Sequence, residues 1–356
     1  MKRKTLQGLY TPKYTLYYAL LSGEHPTLPY GELTSLLESW GGETSLLYRL
    51  ESLAIIDTDT PPDVIKHIVD ESGYIREAGY SVITAPEDPK LFRDYITKNK
   101  LPNGEYWIVY EKHLKPEWNP HSIEIIRMVV LANKESKFSK EGSILKIDHY
   151  PGFIHIGIRI AKKDYTGFLN RLPRRRPVFR PGTLDPILSR VIVNLSRPRK
   201  NLSYIDPFCG VGGFAIEAGL IGYDPVICGD IDYQMMKGAV TNLNAYLSKH
   251  SSPIFYYGNS SDLPLRSESI ERIATDPPYG RTTSTGGVSR RIIVKEFLAE
   301  ALRVIAPGGY LVFASPIEVK PRQLAEEVGF EVAGYFEMHV HRRLVRGVVV
   351  ARKPLQ

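Results

Sequence analysis

From about residue 202 to the C-terminus, short apolar runs alternate with amphipathic ones, and this rhythm narrows the possible folds more than any other feature. The runs "LSYIDPF", "PVICGDID", "PIFYYG", "SIERIATDPP" and "GGYLVFASP" read as strands. Between them "GGFAIEAGLIG", "YQMMKGAVTNLNAYLSKH", "IIVKEFLAEALRVI" and "RQLAEEVG" read as helices. Alternation of this kind predicts a mostly parallel sheet with helices on its faces, because parallel neighbours need a crossover. "FEVAGYFEMHVH" and "LVRGVVVAR" close the chain as two strands without a helix between them, which predicts an antiparallel end. Ligands of such sheets lie beyond the C-terminal ends of the strands. Those ends are where chemistry is expected.

The first strand ends in "IDPFCGVGGFAIEAG". Gly210, Gly212 and Gly213 allow a tight turn that brings backbone close to a ligand before a helix starts, although close strand–helix packing would use the same glycines. No GxxxxGK[ST] occurs, so a P-loop is excluded. The dinucleotide pattern G-x-G-x-x-G lacks its last glycine, because Ala215 stands there; spacing alone leaves that reading open. Charge separates the two. Asp206 at the mouth of the turn would repel a pyrophosphate and attract the ammonium and sulfonium of S-adenosylmethionine. The second strand ends in "CGDID", where Asp230 can bind ribose hydroxyls. Asp232 either joins it or caps the next helix. The third ends in "YGNSSDLP", offering Asn259, Ser260 and Asp262 to an adenine edge. The fourth ends in "TDPPYG", Asp276 to Tyr279 within it. Two adjacent prolines lack N–H groups and have fixed φ, so the strand stops at a rigid corner carrying a carboxylate and a ring.

An [N/D]-PP-[Y/F/W] corner after the fourth strand is the signature of class I methyltransferases acting on exocyclic amines, and Asp276, Pro277, Pro278 and Tyr279 match it. "DPFCGVGGFAIEAG" resembles the cofactor motif of the same fold. "RRPVFRPGTLDPILSRVIVNLS", "DPPYGR" and the terminal "HVHRRLVRGVVV" are similar to the pattern of the archaeal tRNA (guanine-10, N2)-methyltransferases. The resemblance implies a Rossmann-like α/β catalytic domain with a mostly parallel seven-stranded sheet, preceded by an α+β ferredoxin-like unit and a THUMP RNA-binding domain. Expected boundaries are 1–62, 63–162, a basic linker at 163–182, and 183–356. It implies S-adenosylmethionine as cofactor, tRNA as partner, and one or two methyl additions at guanine 10. Asp276, Pro277 and Tyr279 would be catalytic. Asp206, Phe208, Gly210, Gly212, Gly213, Asp230, Ile231, Asn259, Ser260 and Asp276 would hold the cofactor.

Elementary chemistry agrees with an amine substrate. The N2 lone pair of guanine is delocalised into the ring. Asp276 and the Pro277 carbonyl can each accept one N–H and so direct the lone pair at a methyl donor, which makes catalysis largely positioning and electrostatics. Tyr279 offers a face for the base once it leaves its helix. No metal or covalent intermediate is required.

Charge points to the partner. The net charge is +7, and residues 171–200 hold nine Lys/Arg against one acid, Asp185. "RLPRRRPVFRP" either is a solvated linker or lies along a nucleic-acid backbone. Arg174, Arg175, Arg176, Arg180 and Arg281 are the expected RNA contacts. No run of about 18 apolar residues suggests a membrane span, and no signal peptide is read at the N-terminus, so a cytoplasmic monomer is expected. Cys209 and Cys228 suggest neither a disulfide scaffold nor a metal site, and Cys209 reads as packing. His149, His155 and the pair His339 and His341 read likewise as structural. Rival readings are an N2-guanine enzyme for another tRNA position or rRNA, a DNA adenine methyltransferase, a non-catalytic RNA-binding protein with a decayed domain, and a NAD enzyme.

Overall fold

The computed structural model describes residues 13–247, 251, 253–278, 290–341 and 344–355. In chain order the elements are β1 (Thr15–Leu21), α1 (Leu28–Trp40), β2 (Thr44–Leu50), β3 (Leu53–Thr58), α2 (Pro62–Glu71), β4 (Ile75–Pro86), α3 (Pro89–Lys98), β5 (Glu105–Lys112), α4 (Ser122–Ala132), β6 (Lys137–Phe138), β7 (Ser143–Tyr150) and β8 (Phe153–Lys162). Then come α5 (Thr166–Asn170), α6 (Pro186–Asn194), β9 (Tyr204–Asp206), α7 (Gly213–Ile221), β10 (Val226–Asp230), α8 (Tyr233–Leu247), β11 (Ile254–Tyr257) and β12 (Ile270–Thr275). The chain ends with α9 (Arg290–Val304), β13 (Ile305–Pro316), α10 (Pro321–Val328), β14 (Glu331–His341) and β15 (Leu344–Arg352).

Two compact units result. The first comprises residues 1–22, 41–70 and 75–163, the second 23–40, 71–74 and 164–356. The first unit is built on one eight-stranded sheet, order β2-β3-β1-β4-β8-β7-β5-β6. The expected boundary at 62/63 falls inside it, because β1 pairs with β3 on one side and β4 on the other. One face carries Ile83, Leu145, Ile147, Ile154 and Ile156, packed on Phe92 and Ile96 of α3 and Ile125 and Val129 of α4. The alternation along "GFIHIGIRIA" is thus a core face. Residues pointing the other way include buried Lys146, Asp148 and His155. Burial alone would raise Asp148, but the hydrogen bond from His113 and the neighbouring His155 and Lys146 outweigh it and hold the carboxyl at about 2. Glu111, His113 and Asp148 come close enough to hold a metal ion. The Lys146 ammonium already pairs with both carboxylates, so a positive charge occupies that place.

The second unit holds the seven-stranded sheet, order β11-β10-β9-β12-β13-β15-β14. All neighbours are parallel except β15, which runs against β13 and β14. Residues of the central strands alternate between two cores. Tyr204, Val226, Cys228, Ala274 and Val312 join the core that includes α6, α7 and α8 residues. Ile205, Ile227, Ile273, Leu311 and Phe313 join the core that includes α9 and α10 residues. This is the mark of a strand buried on both faces, and it explains why these strands read as continuous apolar runs.

Local chemistry departs from expectation at three places. Helix α6 is capped by Asp185, which accepts the Ile187 N–H at 2.7 Å, where the sequence suggests Thr183 as the cap; Thr183 donates to the Arg180 carbonyl. Helix α1 packs in the second unit although its flanking strands belong to the first. Its Glu32 is fully buried and accepts from the Gly73 and Tyr74 N–H groups and from Asn194 Nδ2, at 2.6–2.7 Å. The basic segment expected as a linker is folded into the second unit. Arg171 makes two hydrogen bonds to Glu217 of α7, at 2.6 and 2.9 Å, and Arg190 adds a third at 3.0 Å. Asn242 of α8 bonds Val178 through both its N–H and its carbonyl.

Glu217 is fully buried between two guanidiniums, so removing it leaves uncompensated charge in the core. Glu217→Ala is expected to lower unfolding free energy by about 3–5 kcal/mol, read from denaturant melts. A change below about 0.5 kcal/mol would show the pairs to be energetically idle.

Candidate active site

The parallel strands β11, β10, β9 and β12 bring four of their C-terminal turns to one edge of the sheet. Asp206, Asp230, Gly258–Ser260 and Asp276–Pro278 therefore face the same space beyond the strands. The turn after β9 needs its glycines: Gly210 has φ +53° and Gly212 φ +90°, and a Cβ on Gly212 would collide with Leu243. Gly212 N–H closes the turn on the Cys209 carbonyl at 2.8 Å, and Cys209 N–H bonds the Gly229 carbonyl at 2.9 Å. Cys209 and Cys228 are joined as a disulfide, which corrects the expectation of separate packing residues. Cys228 lies on β10 opposite Asp206 and Cys209 in the turn after β9, so the bond ties that turn to the neighbouring strand.

Asp230 holds this turn from the neighbouring strand. Its Oδ2 accepts the Gly210 N–H at 2.9 Å and its Oδ1 the Asp232 N–H at 2.8 Å, which leaves further lone pairs for a ligand. Burial raises its carboxyl, and the backbone donors partly offset that. Asp232 caps α8, accepting from Gln234 and Met235. Ile231 is 65% exposed beside them, with Tyr257 and Tyr233 also exposed and their rings edge to face at 5.9 Å. An apolar surface of this kind, flanked by acids, suits a flat heterocycle. The two tyrosines escaped the sequence reading; the aromatic directly after "GDID" and the one ending "FYY" were the available signals. Asn259 is exposed at the end of β11, and Ser260 is buried next to it.

Asp206 is only 1% exposed. Its Oδ1 accepts from Thr275 Oγ1 at 2.6 Å and from the Phe208 N–H at 3.2 Å, while Oδ2 is buried without a partner. Burial pushes its carboxyl up to about 7 against these two bonds, and the nearby Asp230 and Asp276 add to the rise. The Phe208 ring packs on Phe297, so this residue contributes through its backbone. Asp276 repeats the pattern on the adjacent strand. Its Oδ2 accepts from Arg346 Nη1 of β15 at 3.3 Å, and Oδ1 is buried without a partner. Burial pushes it, too, up to about 7, opposed by Arg346. A buried acid with an open oxygen calls for a cationic ligand. With the glycine turn beside it, Asp206 fits the cationic end of S-adenosylmethionine, and the half-buried Asp276 keeps its open oxygen for a second ligand.

Pro277 is buried and Pro278 half-buried directly after Asp276; Tyr279 and Arg281 lie outside the described residues. Arg174, Arg175 and Arg180 are exposed. Arg176 is not, at 4% exposure: its Nε donates to the Arg171 carbonyl and its Nη1 sits against Gly213. It is a core residue of the second unit rather than a phosphate contact. Arg346 and Thr275 were missed as site residues.

Residues 173–346 match a family model described as an RMKL-like methyltransferase domain. The chain is 31% identical to the tRNA (guanine(10)-N2)-dimethyltransferase of Methanocaldococcus jannaschii, over 94% of this chain and 99% of that one. It is 30% identical to the protein of the same name from Methanothermobacter thermautotrophicus, over 94% and 98%. Among solved structures, TrmN from Thermus thermophilus shares the fold with TM-score 0.53 and 19% identity, over 95% of this chain and 99% of that one.

The raised carboxyl of Asp206 makes a signed prediction. As pH rises past about 4 the unfolded chain ionises this group while the folded protein does not, so stability falls until about pH 7 and is flat above. Asp206→Asn is therefore expected to stabilise the ligand-free protein at pH 8, by about 4 kcal/mol at the upper bound. The gain should shrink toward pH 5 in matched denaturant melts. An equal gain at both pH values would assign it to packing instead of charge.

Proposed function

The chain belongs to the family of tRNA (guanine(10)-N2)-dimethyltransferases, and on that premise we propose that it transfers methyl groups from S-adenosylmethionine to the exocyclic N2 amine of a tRNA guanosine, at position 10, adding up to two. The observation that carries the chemistry is a pair of carboxyls, each with one buried oxygen left without a partner, Asp206 Oδ2 and Asp276 Oδ1, at the ends of adjacent strands β9 and β12.

When bound, S-adenosylmethionine supplies a methyl group made electrophilic by its sulfonium. The chain's own residues do the rest. Asp206 offers negative charge to the cationic end of the cofactor, Asp230 offers its remaining lone pairs to ribose hydroxyls, and Ile231 gives the adenine an apolar face. Asp276 Oδ1 and the Pro277 carbonyl accept the two amine N–H groups. That frees the nitrogen lone pair to point away from both acceptors, and the fixed φ of the prolines means little reorganises during the displacement. As the N–C bond forms and the methyl–sulfur bond breaks, the amine sheds a proton, which Asp276 Oδ1 accepts. Tyr279 follows this corner directly in the chain and serves as the stacking face for the base.

The first unit, with its eight-stranded sheet, is the part that grips tRNA and selects the nucleotide, in the manner of a ferredoxin-like unit joined to a THUMP domain. Arg174, Arg175 and Arg180 are exposed for phosphate contacts. The displacement needs neither a metal nor a covalent intermediate, and one chain carries every group named, so the enzyme acts as a monomer. No described helix is long and apolar enough to cross a membrane, and the proposed tRNA substrate places the work in the cytoplasm.

Unmodified tRNA incubated with labelled S-adenosylmethionine should yield N2-methylated guanosine, mapped by nuclease digestion and mass spectrometry to nucleotide 10. Asp276→Asn should lower single-turnover transfer by about 10²–10³-fold. Its affinity for S-adenosylhomocysteine should stay within about threefold, because Asp206 and Asp230 are untouched. Label recovered on a ring carbon or on adenine would refute the amine assignment.

A further inference from the structure

Strand β15 places a guanidinium where the surrounding sequence, "LVRGVVV", calls for apolar side chains. Arg346 lies between two ladders, opposite Pro316 of β13 and Met338 of β14, so its backbone is fixed from both sides. Only 7% of it is exposed. A buried guanidinium is costly unless paired. Its Nη1 donates to Asp276 Oδ2, the oxygen opposite the one left open.

We propose that Arg346 is the positioning residue of the methyl-transfer reaction: by engaging one oxygen of Asp276 it fixes the other toward the amine and supplies the carboxylate's counter-charge. The inference rests on the function proposed above and deepens it by one residue.

The electrostatics run the same way. Only an ionised Asp276 accepts both an N–H and the departing proton, and burial works against ionisation. Among the described residues, the groups around Asp276 are few. From β9 the Asp206 carboxyl lies near enough for the Asp276 charge to add to its rise. On β12 itself, Thr275 gives its hydroxyl to Asp206. At the end of β13 stands Ser315, with a buried uncharged hydroxyl. Arg346 is the one group that opposes the rise of Asp276. Asp276 is held with an oxygen engaged from a strand interior, which is more rigid than any hold from a loop.

The test compares wild type, Arg346→Gln and Arg346→Lys in single-turnover methylation of tRNA from pH 6 to 9, with S-adenosylhomocysteine affinity measured by calorimetry and folding checked by circular dichroism. Wild type should show an acidic limb set by Asp276. Arg346→Gln should move that limb up by about one pH unit and slow transfer at pH 7 about fivefold, recovering toward pH 9. Arg346→Lys keeps a charge and should keep the limb near its wild-type position. Cofactor-product affinity should change less than about threefold in both. A Gln variant whose loss is the same at every pH, or absent, overturns the proposal. Should that variant fail to fold, the Lys variant decides alone: a limb displaced as far as about one unit despite the retained charge overturns it. Wild-type protein that methylates no guanosine would instead refute the underlying function and leave this inference without an object.

Discussion

Negative charge held out of water and only partly compensated is the constraint around which the second unit is organised. Asp206 and Asp276 end adjacent parallel strands with little access to water, and each keeps one oxygen without a donor. A carboxylate in that position is unfavourable for the empty protein, and burial shows this by raising both groups to about 7. The arrangement makes sense as a site whose balance is completed by a cation. A site of this kind sets fold stability against ligand binding, a frequent relation.

The rest of the unit serves to hold those acids still. Parallel pairing fixes the strand ends in register, Asp230 ties the glycine turn to the next strand, and the disulfide between Cys209 and Cys228 fastens the same two strands. Behind the turn, Glu217 of α7 gathers Arg171 and Arg190, so the arginine-rich segment becomes part of the wall instead of a strap. Charge density along the chain and charge available at the surface are therefore different quantities. Arg174 and Arg175 are exposed, and Arg176, next in sequence, is buried.

Legibility in the sequence followed the range of the interactions involved. Strand ends, the glycine turn and the Asp-Pro-Pro corner are local patterns, so the placement of Asp206, Asp230 and Asp276 at the ends of parallel strands was readable. Asp232 was readable as a helix cap for the same reason. Arg346 was hidden because it is 70 positions from Asp276, and only the antiparallel return of β15 brings them together. Thr275 looked like a strand residue, since its contact with Asp206 crosses between strands. The burial of Arg176 depends on the packing of α7, which no composition count contains. Glu32 gave no hint that its partners would be Gly73, Tyr74 and Asn194.

Helix α1 has a consequence for how the chain is made. It emerges early in synthesis, between strands that complete the first unit, yet the surface it buries belongs to the second, chiefly α6. Leu28, Leu33 and Leu36 on that helix end fully buried or nearly so. During translation at about 5–20 residues per second, this apolar face has no partner until α6 has been made. A growing chain whose first unit is already formed thus displays a greasy helix for several seconds.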